Sequence, residues 1–474
     1  MYSLILRNAE VVDPFQGINR EKLDIGINEG EISNVSEERI SEKCYQEIDL
    51  KGNVLMPGII DLHVHVGGYG SERYKNGIKM LAQAGVTSAL DLGSEIGYFL
   101  ESIEEQSLII NLGSLFPLIP GTTVQGNNPS RKELEKCITK AIKNGQLGIK
   151  LLGGHYPLTP EATRNAIELG NDLSAYVAFH LGTTRTNSDI TGVRELPELI
   201  FNNSNNGVHI AHVNAYCRGL VRDEPEKEIR DAFKVLDDLN NCCISESHLA
   251  SINWTSGKIA NGKPKSHVTR NCLKMRDYPL TEEGLKQAVL DEYASVLIED
   301  GGVNNLISGG RALSEWQRRN TNASVSFPVT PPITTFKFAA ERNRETGKFK
   351  VDAITSDGGA FPRNFLVERG LALYHLGAIS LMDFAEKTSA RPAAILGLQN
   401  KGKIARGCDA DFTVLDVEKR KAKMSFVDGK LIMKDGIICS KGRGAILTTK
   451  EVTESSPLYN FTHEKINRKK GVLF

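Results

Sequence analysis

The chain predicts an α/β fold: a (β/α)8 barrel of the TIM type that carries a small β-sandwich formed from both termini. Three observations predict it. Eight short apolar runs recur through the middle of the sequence, helical patterns with clear starts and stops lie between several of them, and alternating apolar and polar stretches stand at both ends. With 474 residues the chain exceeds the about 250 of a typical barrel, so a second domain and insertions have to be found.

Taken in order, Ser3–Val12 and Leu23–Val35 alternate around turns, and Asp411–Asp416, Ala422–Val427 and Lys430–Met433 do the same near the other end. These place the sandwich at residues 1–56 and 400–474 and the barrel at 57–399. The entry Val54-Leu55-Met56-Pro57-Gly58-Ile59-Ile60 is apolar and broken only by Pro-Gly, as suits a chain turning into a buried strand. The eight strands are then Asp61–His65, Thr87–Gly93, Ser107–Pro117, Gly148–Leu152, Ala175–Gly182, Gly207–Asn214, Cys242–Glu246 and Asp352–Gly359. Ser130-Arg131-Lys132-Glu133 has capping-box spacing and opens a helix running to Gly145, and Thr159-Pro160 opens another that closes at Gly170. Strand then helix, repeated, argues for a parallel sheet. The stretch from about 250 to 338 reads as an irregular insertion, with Trp254, His267, Arg270 and the Pro-rich Phe327–Pro332; connections this long tend to be functional lids or interfaces.

His63 and His65 stand at i and i+2 on the first strand, so their side chains point to one face and can grip one cation. Lys150, His180, His212 and Asp357 each end a later apolar run. In a closed parallel barrel the active site collects at the carboxyl ends of the strands, where these residues fall. Singly, each has an ordinary alternative. A lone histidine is more often structural than ligating, and an ammonium repels a metal ion, so Lys150 alone reads as a lysine paired with an acid. His155, His209, His248, His267, His375 and His463 fit no position in the pattern and read as ordinary histidines, with His248 a candidate neighbour of the ligand set.

On these residues the chain resembles the amidohydrolase superfamily of metal-dependent hydrolases over almost its whole length. That family has His-x-His on the first strand, a bridging Lys or Glu on the fourth, His on the fifth and sixth, and Asp on the eighth; His63, His65, Lys150, His180, His212 and Asp357 fill those places. Thr388–Ala393 and Gly402–Phe412 resemble the superfamily's exit from the barrel into its second domain. The resemblance implies two divalent metal ions, zinc being expected, with a carbamylated Lys150 as the anionic bridge between them. It also implies cleavage of a C–N bond. The metals lower the pKa of a shared water to provide hydroxide and polarise the substrate carbonyl, and Asp357 accepts the proton and passes it to the leaving nitrogen.

The bridging lysine points to the binuclear branch of hydantoinases, dihydroorotases, N-acyl deacetylases and isoaspartyl dipeptidase. His63–Glu72, His212-Val213-Asn214, Ser356-Asp357-Gly358 and Gly429–Gly436 look similar to isoaspartyl dipeptidase, although Ala215-Tyr216-Cys217 separate the His-Val-Asn phrase from Arg218. Dihydroorotases carry an arginine shortly after His-x-His that this chain lacks. Arg185, Arg218 and Arg363 lie within six residues of an expected ligand. An arginine fork matches a carboxylate, so a cyclic amide acid, an N-acyl amino acid or an isopeptide-like dipeptide is the expected substrate. Tyr216 and Tyr69 are candidates to polarise a carbonyl. Two other functions stand beside this one: a ring-amine deaminase using one metal without a modified lysine, and a non-catalytic barrel scaffold.

With 58 basic and 58 acidic residues, no net field attracts polyanions, so nucleic acid is an unsuitable partner. Leu4-Ile5-Leu6 before Arg7 is too short for a signal-peptide core, no segment approaches the about 18 apolar residues of a membrane span, and the eight cysteines include no C-x-x-C pair. A cytoplasmic homo-oligomer with reduced thiols is expected. Arg468-Lys469-Lys470 reads as a solvated tail.

Overall fold

A computed structural model describes residues 1–69, 73–200, 207–239, 242–440 and 443–466. Gly70–Glu72, in the glycine-rich stretch after His65, and the basic Arg468–Lys470 lie outside the described residues.

Eight parallel strands form the predicted barrel: β1 (Ile59–His65), β2 (Val86–Asp91), β3 (Asn111–Leu118), β4 (Gly148–Leu152), β5 (Tyr176–His180), β6 (Val208–Ile210), β7 (Cys243–His248) and β8 (Ala353–Thr355). Each pairs with its predecessor in sequence order. Closure comes from the eighth strand, which is interrupted at Ser356-Asp357. Its first piece pairs with β7 and its continuation, Gly358–Gly359, pairs with β1 at Val64 and His65. These strands are apolar and buried because helices cover the outside while side chains such as Ile60, Leu90, Leu115, Ala178, Ile244 and Ala353 pack together from different strands.

Ser130 caps the helix Arg131–Lys143 by accepting the Glu133 N–H, but the reciprocal half of the box is missing, because Glu133 instead accepts the Gln125 N–H at 2.7 Å. The helix opened by Thr159-Pro160 runs on to Asp172 rather than stopping at Gly170. Gly170 is there for close packing, not termination: a Cβ on it would sit 2.3 Å from the Val177 side chain on β5. The strand expected over Gly207–Asn214 is shorter, since His212 adopts a left-handed conformation (φ 33°) and starts a 3-10 turn over Val213–Tyr216.

The terminal segments form one nine-stranded sheet. Val54–Pro57 pairs on one side with Tyr2–Asp13 and on the other with Phe412–Asp416, so it joins the amino-terminal strands to the carboxyl-terminal ones. Leu6, Val11 and Ile25 from one end pack with Phe412, Val414 and Phe426 from the other. Ile446–Thr448 returns to the barrel and pairs with β3.

The segment after β7 is not irregular. It holds an antiparallel four-stranded sheet, with strands Thr255–Ser256, Ser324–Ser326, Ser295–Asp300 and Val303–Ile307, and the helices His267–Lys274, Glu282–Leu290 and Gly309–Arg318. These pack around Trp316, whose indole N–H donates to the Gly257 carbonyl at 2.9 Å. Such short strands have too few residues to show a period in the sequence. Asn304 clasps this unit to the barrel by donating to the carbonyls of Lys75 and Ala360, in the loops after β1 and β8. Among the described residues no helix is long and apolar enough to cross a membrane.

Candidate metal centre

Strand geometry delivers the expected ligands to one cavity of about 220 Å³ at the carboxyl end of the barrel, which His63, His65, Lys150, His180, His212 and Asp357 all line. Nε2 of His63 and Nε2 of His65 lie 3.2 and 3.1 Å from Oδ1 of Asp357. Nδ1 of His180 lies 3.1 Å from Nε2 of His212. One ligand atom each from His63, His212 and Asp357 falls within 4.8 Å of the others, close enough to share one ion. The β1–β2 ladder shifts between Asp61 and Val64, and there the His63 N–H turns to Asp61 instead. Both His212 and Asp357 have positive φ, at 33° and 50°. Non-glycine residues seldom adopt this backbone, and it persists where the surroundings fix it, here to swing two side chains over the strand ends.

The donor set fits a divalent cation. Burial holds the His63, His180 and His212 imidazoles well below their ordinary pKa and therefore neutral, as metal ligation requires. Desolvation would raise the Asp357 carboxyl, but the adjoining Arg363 charge, with the hydrogen bond from His65, outweighs it and holds the group well below its ordinary value and ionised. Lys150 is 1 % exposed and its Nζ has no hydrogen-bond partner among the described residues. Burial pushes its pKa down to about 8, against the opposing pull of Glu246 and Asp357. A buried amine this close to neutrality is chemically able to take up carbon dioxide and become an anionic ligand.

The residues expected to contact substrate divide. Tyr69 and Arg218 line the cavity. Nε of Arg218 is buried without a partner, and among the described residues no carboxylate pairs with its guanidinium. Arg363 also lines the cavity, but its guanidinium is committed to Asp357, with Nη2 2.6 Å from Oδ2. Arg185 is turned away: it pairs with Glu195 and Glu198 on the helix Ile190–Ile200 and does not reach the cavity wall. The Tyr216 hydroxyl accepts the Leu181 N–H and donates to the Ala211 carbonyl, which leaves it no proton for a substrate.

Other residues of the site escaped the sequence pattern. His155 and His267 line the cavity although no motif singled them out, and His248, expected only as a neighbour of the ligand set, lines it too. His248 is held through its backbone by Asn214, which both accepts its N–H and donates to its carbonyl. Trp254, at the start of the inserted unit, stacks on Phe361 with ring centroids 4.1 Å apart and reaches His65. Glu246 contacts His63 from behind at 2.6 Å. Asp61, two residues before His63, accepts the Ser356 N–H; burial pushes its pKa up to about 7. Its place beside the His-x-His pair was the one available signal.

The amidohydrolase family model matches residues 54–195 and 337–446, more than half of the chain. The chain is 22% identical to the dihydroorotase of Aquifex aeolicus over 88% of its own length and 90% of that protein. It is 24% identical to the allantoinase of Desulfitobacterium hafniense, covering 88% of this chain and 87% of the other. Its fold is similar to that of the N-acyl-D-glutamate deacylase from Bordetella bronchiseptica, solved with zinc and a phosphonate mimic of the tetrahedral intermediate. The TM-score there is 0.67, with 94% of this chain and 99% of that one covered at 11% identity.

Proposed function

The chain belongs to the amidohydrolase family, and from that membership we propose that it hydrolyses an amide-type C–N bond of a small molecule in a metal-dependent reaction. The observation that carries this reading is the convergence of four histidines, Asp357 and an unpartnered Lys150 on one cavity at the strand ends. His63, His65, His180, His212 and Asp357, with a carbamylated Lys150, would hold two cations; zinc is the metal this donor set suits. When bound, the cations supply an acidified water and a Lewis acid for the carbonyl. Asp357, ionised and fixed by Arg363, is placed to take a proton from the attacking water and return it to the leaving nitrogen. The inserted unit contributes Trp254, His267 and Asn271 to the cavity wall. The reading includes a chain divided into a sandwich (1–56 and 400–474) and a barrel (57–399), working as a cytoplasmic homo-oligomer.

An arginine charge without an acid is costly to enclose, and an incoming carboxylate removes that cost. Arg218 therefore supports a substrate bearing a carboxylate, such as a cyclic amide acid, an N-acyl amino acid or an isopeptide-like dipeptide, with Tyr69 also at the cavity wall. Arg218→Met is expected to lower kcat/KM for carboxylate substrates by about 10- to 100-fold, the worth of a charge-assisted hydrogen bond. It should leave neutral ester analogues unaffected. It should also raise the melting temperature, because an unpaired charge is removed; a structural arginine would show the reverse, a loss of stability with no preference between substrates.

The reading as a whole is tested by metal stoichiometry from inductively coupled plasma mass spectrometry, together with hydrolysis of a panel of cyclic amides, N-acyl amino acids and β-aspartyl dipeptides. About two ions per chain, turnover on the panel and loss of activity on chelation are expected. One ion, with activity confined to release of ammonia from ring amines, would overturn it.

A further inference from the structure

Glu246 lies in the middle of Ile244-Ser245-Glu246-Ser247-His248 on β7 and is wholly buried. A glutamate is almost never enclosed unless its oxygens are satisfied. Here they are, by residues of two other barrel strands and of the turn that follows a third. Oε1 accepts the backbone N–H of His212 at 2.7 Å and faces Nδ1 of His63 at 2.6 Å, while Oε2 accepts the Thr355 hydroxyl at 2.6 Å. His209, whose Nε2 stands 3.8 Å away, approaches the same carboxylate.

The contact with His63 decides the state of that ring. A neutral imidazole has one donor nitrogen and one acceptor, and a carboxylate can only accept. Carboxylates face both nitrogens, Glu246 at 2.6 Å from Nδ1 and Asp357 at 3.2 Å from Nε2; the shorter contact takes the single proton of the neutral ring on Nδ1 and leaves the lone pair on Nε2, toward Asp357 and the space shared with His212. The second contact fixes the backbone at His212, the residue with φ 33° that turns its ring into the cavity. Among the described residues His180 has only the Ser188 hydroxyl behind it, at 2.8 Å, and Nδ1 of His65 and of His212 has no partner.

We propose that Glu246 is a positioning residue for the metal centre: its carboxylate locks His63 in the ligating tautomer and holds the turn that presents His212, so one side chain orients two ligands of different strands. This rests on the metal-dependent reading above. A carboxylate behind a ligating imidazole also makes its free nitrogen more basic, and losing such a partner costs about 10- to 100-fold in metal affinity.

The test uses the full-length protein, stripped and reloaded with Co(II), with affinity read by chelator competition and ligand geometry by the visible spectrum of the bound ion. Glu246→Gln keeps the shape of the side chain and removes its charge. It is expected to weaken Co(II) binding by about 10- to 100-fold and to alter the spectrum. Glu246→Asp, which keeps the charge, should recover part of both. Thr355→Val frees Oε2 without touching His63, should shift both readouts less and in the same direction, and serves should Glu246→Gln not fold. Wild-type affinity and spectrum in the Gln variant, or in Thr355→Val where that variant has to stand in, would overturn the inference while leaving the proposed function intact. A wild-type protein that takes up no divalent metal would overturn both.

Discussion

Asp357→Asn is expected to lower kcat by about 10²- to 10⁴-fold, the range a positioned acid–base group contributes, in a protein that still takes up divalent metal. The structure explains why the effect should be large. Oδ2 is fixed by Arg363 at 2.6 Å, and Oδ1 is thereby aimed at Nε2 of both His63 and His65. An amide oxygen in that place accepts a hydrogen bond but cannot carry a proton to the leaving nitrogen. The substitution also leaves Arg363 enclosed without its counter-ion, and breaking a buried pair costs about 3–5 kcal/mol, so lost activity alone would not separate chemistry from stability. Asp357→Asn combined with Arg363→Met separates them. The double variant should regain much of the lost stability in a urea titration and stay inactive. Recovery of turnover on removing Arg363 would assign the defect to the stranded charge and take Asp357 out of the proton-transfer role.

How much of this arrangement the sequence discloses depends on how local each signal is. His63 and His65 are legible because a period of two on a strand puts them on one side, and Lys150, His180 and Asp357 because each lies in or just after a buried run whose order gives its place around the barrel. Glu246 was illegible: its partner His63 is 183 positions away, and an acid inside a strand carries no mark of burial. Arg185 and Tyr216 show the limit from the other side. Both lie close in sequence to a ligand, but proximity does not determine where a side chain points. Two glutamates on the following helix take Arg185, and two backbone groups take the Tyr216 hydroxyl. The inserted unit was legible in position only, since its core is assembled from strands of two to six residues that reach Trp316 from separate parts of the segment.

Lys150→Ala is expected to reduce bound metal to one ion per chain or none, with partial recovery of metal and turnover on adding a small carboxylate such as acetate or propionate. An ammonium at this position would repel the cations that the neighbouring imidazoles are arranged to hold. The structure offers a way out of that conflict. Among the described residues Nζ has no hydrogen bond to hold its charge, and burial pushes its pKa from the ordinary 10.5 to about 8. At pH 8 about half of such a group is the free amine, compared with under about one part in a hundred at the ordinary pKa. That amine can bond to carbon dioxide and release a proton, and the anionic carbamate formed would supply carboxylate-like oxygens to the cations. Formation should therefore rise with pH between 7 and 9, as the amine fraction does, and native mass spectrometry of the wild type should show one added carbon dioxide that disappears in Lys150→Ala. An exogenous carboxylate can occupy the volume vacated by the side chain and supply oxygens of the same kind. Two ions per chain in the alanine variant, with no response to acetate, would mean that the histidines and Asp357 hold both metals unaided, and Lys150 would then be no more than a buried amine beside them.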